Sequence, residues 1–448
     1  MQEVNLNKVL YFKIISIGTL AFFSVLLETS LNIAFPNLKN FFSKNYDTLN
    51  WLTTGYLLTS TFIVATATYL QNRYSEKQLF IVSWITFFIG CILALISNNF
   101  YLLLIARCIE GIGSGIAIPL LFLTVITQAP PKKVGSMMAL ATVTIASAPA
   151  IGPVYGGLII HLLNWKYMFL FPIPFLLISM FIGLKCLSNV NNSKIANTTL
   201  KGIVGVSVLL TGILILINKL LINFWHAIIG LTLIFVGYVI IKLKSIKFIN
   251  IKFVKNKYVF INLVIFSLLQ FFSLSLSYLI PTMVQTVFNI NALNASFVVI
   301  IGSFMNALFV VIGGFLLDRL GIKIIYIGLL LNTLSFALSL FTYMSVLCLA
   351  INYGLFMIGL GLSYGNIMTN TLTNTHEYAK TDVNTVFSTM QTYTGSIGVI
   401  LTGTIVTLFQ NSYGLVRGIE NATFFILSTF FILSIIEVIF FNIIRKNI

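Results

Sequence analysis

The sequence predicts an all-α chain that crosses a membrane many times, and three observations predict it. Of its 448 residues, 58% are hydrophobic and only 8% are charged, where soluble domains carry about 25% charged residues. There is too little polar surface here to coat even one aqueous domain. The apolar residues fall in runs of about 20 or more, the length that spans a bilayer as a helix, and short polar joints separate them. The basic residues, whose excess sets a net charge of +16, gather in joints on one side. Helices are the required form, because lipid offers backbone amides no partner outside the segment itself.

In order, the runs predict spans near 11–35, 51–70, 79–98, 101–125, 136–163 and 167–187, then 201–218 and 224–241. The remaining spans lie near 258–288, 293–317, 324–344, 346–370, 384–410 and 422–443. Fourteen spans put both termini on one side. The first run reads as a span and not as a cleaved leader, because it exceeds an h-region and no small-residue cleavage site follows it. With the termini inside, the outer joints hold Lys39, Lys44, Lys166, Lys219 and Arg417, Arg107 lies within a span, and 20 of the 26 Lys and Arg face inward. That asymmetry sets the orientation and suits the anionic inner leaflet. A nucleic-acid binder concentrates basic residues on an aqueous face; this chain spreads them between apolar runs, so the lipid bilayer is the expected partner and nucleic acid is not.

Other classes fall away on residue chemistry. Cys91, Cys108, Cys186 and Cys348 all lie in apolar runs without metal-ligand spacing, and His161, His226 and His376 are scattered. A metal, a disulfide framework and a cofactor are therefore not expected. No phosphate-binding G-x-x-x-x-G-K-[ST] loop occurs, so any transport runs on an ion gradient or on the solute's own. With no nucleophile–base pair on neighbouring spans, an enzyme is not expected, and a sensor lacks room for an aqueous signalling domain.

A repeat organises the chain. Residues 68–77 read Thr-Tyr-Leu-Gln-Asn-Arg-Tyr-Ser-Glu-Lys, and residues 314–323 read Gly-Phe-Leu-Leu-Asp-Arg-Leu-Gly-Ile-Lys. Each places a polar residue, an Arg and a Lys on a short inner joint. Eight spans separate the copies where two bare six-helix halves would leave six, so two helices are inserted. The expected division is residues 1–190 for the first half, 191–247 for the insertion and 248–448 for the second half. Lys242, Lys244, Lys247, Lys252, Lys255 and Lys257 follow the insertion, in a segment expected to lie on the inner membrane surface.

These residues resemble the major facilitator superfamily, and within it the fourteen-helix drug:proton antiporter branch. The second copy has the superfamily's loop form G-x-L-x-D-R-x-G-x-K. Leu27-Glu28-Thr29-Ser30-Leu31-Asn32-Ile33-Ala34-Phe35-Pro36 is similar to the branch motif D-x-T-x-x-N-x-A-L-P, with Glu for Asp. Trp51-Leu52-Thr53-Thr54-Gly55-Tyr56 follows W-x-x-x-x-Y. Arg107-Cys108-Ile109-Glu110-Gly111-Ile112-Gly113 resembles R-x-x-Q-G-x-G, with Glu for Gln. Pro149-Ala150-Ile151-Gly152-Pro153-Val154-Tyr155-Gly156-Gly157 resembles the antiporter signature G-P-x-x-G-G, and Trp165-Lys166-Tyr167-Met168-Phe169 the W-R-W-x-F after it. The motifs keep the family's order over nearly the whole chain. The resemblance implies a monomeric bacterial multidrug efflux pump, multi-pass in the cytoplasmic membrane. It would export drugs such as quaternary ammonium compounds, dyes and fluoroquinolone-type antimicrobials by proton antiport. It also implies that Asn72, Arg73, Asp318 and Arg319 form the loop latches, and that Pro149, Gly152, Pro153, Gly156 and Gly157 seal the central cavity. The first latch departs from the family at Asn72, Ser75 and Glu76, where Asp, Gly and a basic residue are usual.

Four acidic residues lie within or at the ends of spans: Glu28, Glu110, Asp318 and Glu437. An ionisable group at mid-bilayer costs about 2.5–3.5 kcal/mol on insertion scales, so each is a functional candidate. Helical rise puts Glu28, Arg107 and Glu110 at similar depth. Arg107, Glu110, Gly111 and Ser114 also share one face of span four at i, i+3, i+4, i+7. Glu28 reads either as the proton-binding carboxylate or as a neutral acid bonded between helices. Arg107 and Glu110 read as a tuning cation with a second proton site, or as an intrahelical pair. Glu437 lies close enough to the inner end to reach toward Arg445. Candidate polar contacts for a drug are Asn32, Tyr56, Gln270, Tyr278, Gln285, Asn306, Tyr364, Asn366 and Asn370, in an aromatic setting that favours amphipathic cations. Sodium as the coupling ion, or a lipid or metabolite as cargo, is the alternative.

Overall fold

A computed structural model of the chain describes residues 2–44, 46–130, 133–189, 205, 208–209, 211–213, 215–216, 224–242, 256–290 and 292–445. The helices of its first part are α1 (Gln2–Ile33), α2 (Phe35–Phe42), α3 (Tyr46–Ala65), α4 (Ala67–Arg73), α5 (Glu76–Ile96), α6 (Phe100–Gln128), α7 (Val134–Ala146), α8 (Ala148–Leu162) and α9 (Pro172–Cys186). They are followed by α10 (Phe224–Lys242), α11 (Lys257–Thr286), α12 (Ala292–Leu320), α13 (Lys323–Thr342), α14 (Val346–Thr373), α15 (Glu377–Tyr413) and α16 (Leu415–Arg445). Among the described residues ten helices are long and apolar enough to cross a membrane, and Trp51–Ala65, Val134–Ile145 and Ile228–Ile240 are shorter apolar helices. The span expected near 201–218 and the basic segment between Lys244 and Lys255 lie largely outside the described residues. Phe341 and Leu347 are 88% and 70% exposed, which is affordable only where the surrounding solvent is lipid.

Two expected spans are broken in the structure. The run near 51–70 divides at Thr66 into α3 and α4, and the run near 136–163 divides at Ser147 into α7 and α8. Pro149 accounts for the second break, since it donates no amide hydrogen and its ring crowds the preceding turn. The short helix α2, with Pro36 in its first turn, was not apparent in the apolar pattern. Its Phe41 and Phe42 rings stand 5.6 and 5.8 Å from Trp165.

The described residues form two compact units. Unit 1 draws on Met1–Pro130, Ile151–Asn250 and Glu377–Thr392; unit 2 draws on Pro131–Ala150, Ile251–His376 and Tyr393–Ile448. In unit 1, α6 is the central helix because its glycines admit neighbouring backbones on two sides. A Cβ on Gly111 would lie 2.6 Å from the Tyr56 carbonyl of α3, and one on Gly113 would lie 2.6 Å from the Ser83 carbonyl of α5. Among the described positions of 205–216, the same device sets an antiparallel pair with α10. There a Cβ on Gly237 would meet the Gly205 carbonyl at 2.7 Å, and one on Gly212 the Gly230 carbonyl at 2.8 Å. In unit 2, α14 packs against α12 and α13: a Cβ on Gly361 would lie 2.8 Å from the Asn306 carbonyl and one on Gly328 2.6 Å from that of Gly359. Such close approaches gain packing contacts that larger residues would forbid.

Candidate functional site

Unit 1 gathers the charges that the sequence places at similar depth. Arg107 and Glu110 of α6 are both 0% exposed and form an ion pair through Arg107 Nη1 and Glu110 Oε2. Gly90 of α5 makes room for the acid, since a Cβ there would collide with the Glu110 side chain, and the Cys91 thiol lies beside the same carboxylate. The Arg107 guanidinium stands 4.3 Å over the ring of Tyr56 from α3, a cation–π contact that desolvation strengthens. Tyr56 is itself buried. Its hydroxyl donates either to Ser114 Oγ at 2.8 Å or to the Ser24 carbonyl at 3.1 Å, and Ser114 Oγ is 3.2 Å from Ser24 Oγ. The chain of contacts therefore runs from α6 through α3 to α1.

Glu28 lies on α1 one turn beyond Ser24. It is half-buried and within electrostatic reach of both Arg107 and Tyr56. One guanidinium thus acts on two carboxylates, bonded to Glu110 and within electrostatic reach of Glu28. Arg107 Nε, Arg107 Nη2 and Glu110 Oε1 are buried with no hydrogen-bond partner among the described residues. An orphaned buried group costs about 1–3 kcal/mol; here the two guanidinium nitrogens are donors and Glu110 Oε1 is an acceptor.

The signature in α8 packs against α1 next to Glu28. Ser30 Oγ donates to the Gly152 carbonyl at 2.9 Å. A Cβ on Gly152 would strike Thr29 Oγ1, and one on Gly156 would lie 2.8 Å from the Ser30 carbonyl. Gly157 faces open space. Gly152 and Gly156 thus seat α8 directly against the Glu28 turn. The side chains of Asn32 and Pro153 lie outside the described residues.

The two loop copies are built differently. In unit 2 the exposed Asp318, at the end of α12, accepts a hydrogen bond from the backbone amide of Ser136 in the first turn of α7, where helix amides lack partners. Gly135 and Gly314 permit the approach, with Gly314's missing Cβ 2.9 Å from the Gly135 carbonyl. Arg319 is exposed. In unit 1 the unusual residues have other work. Ser75 forms a capping box with Gln78 at the start of α5. Glu76 accepts from Lys13 Nζ at 2.8 Å and from Thr124 Oγ1 at 2.8 Å, tying α5 to α1 and α6. Lys13 Nζ also donates to Gln128 Oε1 at 2.9 Å. Asn72 is half-buried, and Arg73 donates to the Tyr69 hydroxyl at 2.8 Å.

The remaining polar candidates are dispersed through unit 2. Gln270 is half-buried beside Gly395, and Tyr278 is 38% exposed with its hydroxyl facing Gly403. Gln285 is half-buried. Asn306 is buried, and its Oδ1 has no hydrogen-bond partner among the described residues. Asn366 donates to the Leu362 carbonyl of its own helix at 2.8 Å, Asn370 donates to the Tyr258 hydroxyl, and Tyr364 stacks on Phe266 at 4.2 Å. A further polar stripe of α15 did not emerge from the sequence. Asn384, Ser388 and Gln391 are buried at i, i+4, i+7, each with an oxygen that has no partner among the described residues. Their spacing was the available signal.

Comparison with known proteins places this geometry. The family profile described as Major Facilitator Superfamily matches residues 17–402. The lincomycin resistance protein LmrB of Listeria innocua is 26% identical over 428 residues, covering 90% of this chain and 91% of its own length. The protein of the same name in Listeria monocytogenes is equally similar. Among solved structures, the human organic anion transporter MFSD10 superposes with a TM-score of 0.67 at 13% identity, over 96% of this chain and 99% of that one; at that identity the likeness shows the fold.

Proposed function

The chain belongs to the Major Facilitator Superfamily, a family of multi-pass membrane transporters, and from that premise we propose that it exports amphipathic cationic drugs in exchange for inward-moving protons. The supporting observation is the charge count of the cluster: two carboxylates, Glu28 and Glu110, share the single guanidinium of Arg107. With both acids ionised the cluster is one positive charge short. A proton or a monovalent organic cation supplies it, and the two compete for one place. Glu110 keeps the guanidinium and Glu28 exchanges. Protonation of Glu28 from outside removes the counter-charge that holds the drug. Loss of that proton to the inside restores it. The aromatic face of Tyr56 holds Arg107 in place while Glu28 changes charge.

The relatives' names support a drug as cargo, and their bacterial hosts support the cytoplasmic membrane as location. The basic asymmetry supports fourteen spans with both termini inside. A monomer suffices, since the cluster is complete within one chain. In unit 2 the proposed drug contacts are Gln270 and Tyr278, which are not fully enclosed, and Asn306, whose Oδ1 has no partner among the described residues. The deciding measurement is counterflow and proton flux in proteoliposomes, over a panel of cationic and zwitterionic drugs, with and without sodium. Drug addition should drive proton movement in sodium-free buffer. Transport that needs sodium, or that moves drug with no proton, overturns the proposal.

A further inference from the structure

We propose that Glu437 of α16 is a second proton-binding site, remote in the chain from the Arg107 cluster and reached through a cavity inside unit 2. Its use in transport rests on the proton-coupled reading above; its binding of a proton does not.

Glu437 is 0% exposed, and neither carboxylate oxygen has a hydrogen-bond partner among the described residues. It lies on the face of α16 that carries Phe430, Ser434 and Phe441, all buried. That face packs on α11 and α13. The titratable residues of these helices are Lys257, Tyr258 and Tyr278 on α11, Lys323 and Tyr326 on α13, and Arg417, Glu420 and Arg445 on α16 itself. No described side chain among these bonds to either Glu437 oxygen, and the side chain of Arg445 lies outside the described residues. Tyr326 is engaged one turn further on, its hydroxyl accepting from Asn442 at 3.4 Å. An unpaired carboxylate in such a place costs several kcal/mol. A leucine would pack there without any polar cost.

A route leads toward it. Helices α11, α13, α14 and α16 enclose a cavity whose polar lining is Ser335, Ser339, Tyr353 and Thr423. Ser335, Ser339 and Thr423 each donate their hydrogen to a backbone carbonyl, which leaves their oxygens as acceptors for water or hydronium. Phe336 also lines the cavity, and its ring centroid stands 5.2 Å from that of Phe272 and 5.7 Å from that of Phe430. Phe272 and Phe430 are 4.8 Å apart. Glu437 lies two turns beyond Phe430, about 10 Å along the helix, with Ser434 between. Displacing the aromatic cluster joins the cavity to the acid. A hydronium then gives one proton to a Glu437 oxygen and leaves as water; release is the reverse step, with water taking the proton.

The test is infrared difference spectroscopy of the full chain in lipid, between acid and alkaline buffer. A protonated-carboxyl carbonyl band should appear that is lost in Glu437→Gln, shifted in Glu437→Asp, and retained when Glu28 and Glu110 are both replaced by Gln. Phe430→Ala should speed deuterium exchange of that band about tenfold, equal to ~1.4 kcal/mol off the barrier. A band absent from the native protein, or unchanged in both Glu437 variants, overturns the site. Unchanged exchange in Phe430→Ala overturns the route. Since no drug is present, a normal Glu437 band beside failed drug-driven proton flux would count against the transport reading alone.

Discussion

Arg107 is the residue on which the candidate site turns, because it serves two acids and an aromatic face at once. Replacing it by Leu leaves Glu110 buried without its counter-charge, a loss of about 3–5 kcal/mol. The melting temperature in detergent should fall sharply, and the double variant Arg107→Leu/Glu110→Leu should recover most of it while transporting nothing. Recovery of transport as well would make the pair a packing feature only. Glu28→Gln acts differently: the side chain keeps its shape and loses its charge, so the protein should stay folded and gradient-driven efflux should vanish. Full proton-coupled transport by that variant would falsify the exchange role. At this scale the i, i+3 relation of Arg107 and Glu110 was readable along one helix. The ring of Tyr56 over the guanidinium and the seryl contacts of Ser24 were not, because they join helices far apart in the chain, and periodicity says which face a residue occupies but not what lies opposite.

Among the elements, α6 and the start of α5 show how single residues set helix placement. A methyl on Gly111 would press within 2.6 Å of the Tyr56 carbonyl. Gly111→Ala should therefore push α3 and α6 apart, destabilise the fold by about 1–3 kcal/mol, and loosen Tyr56 from Arg107. A thermal melt showing no change would count against α6 as the tight centre of unit 1. The first loop departs from the family at Asn72, Ser75 and Glu76, and the structure shows what two of those departures do. Ser75 caps α5, and Glu76 ties it to Lys13 and Thr124. Ser75→Ala should cost about 1 kcal/mol through the lost cap. Restoring the usual acid with Asn72→Asp should change transport rate more than drug range, and an effect confined to range would contradict a latch. The break at Thr66 was hidden in the apolar pattern, since hydrophobicity continues through it while backbone geometry does not; the break at Ser147 was legible through Pro149, which removes an amide donor.

Across the whole molecule, the claim to test is orientation. Single cysteines placed at Lys323 and at Lys166, in a background lacking the native cysteines, should label from opposite faces of intact cells, with Lys323 on the inner side. Labelling of both from one side would reverse or fold back part of the proposed topology. Composition by itself determined that the chain lives in lipid, because solvent preference sums over residues and is insensitive to their arrangement. Charge placement along the chain likewise determined the proposed orientation, and motif order carried the family resemblance. Tertiary structure alone decided that Glu28 lies within electrostatic reach of the Arg107–Glu110 pair, that Asp318 meets the amide of Ser136, and that Glu437 sits without a partner among the described residues. Those relations depend on which helix faces which, and that is set by glycine-permitted backbone approaches between segments distant in sequence.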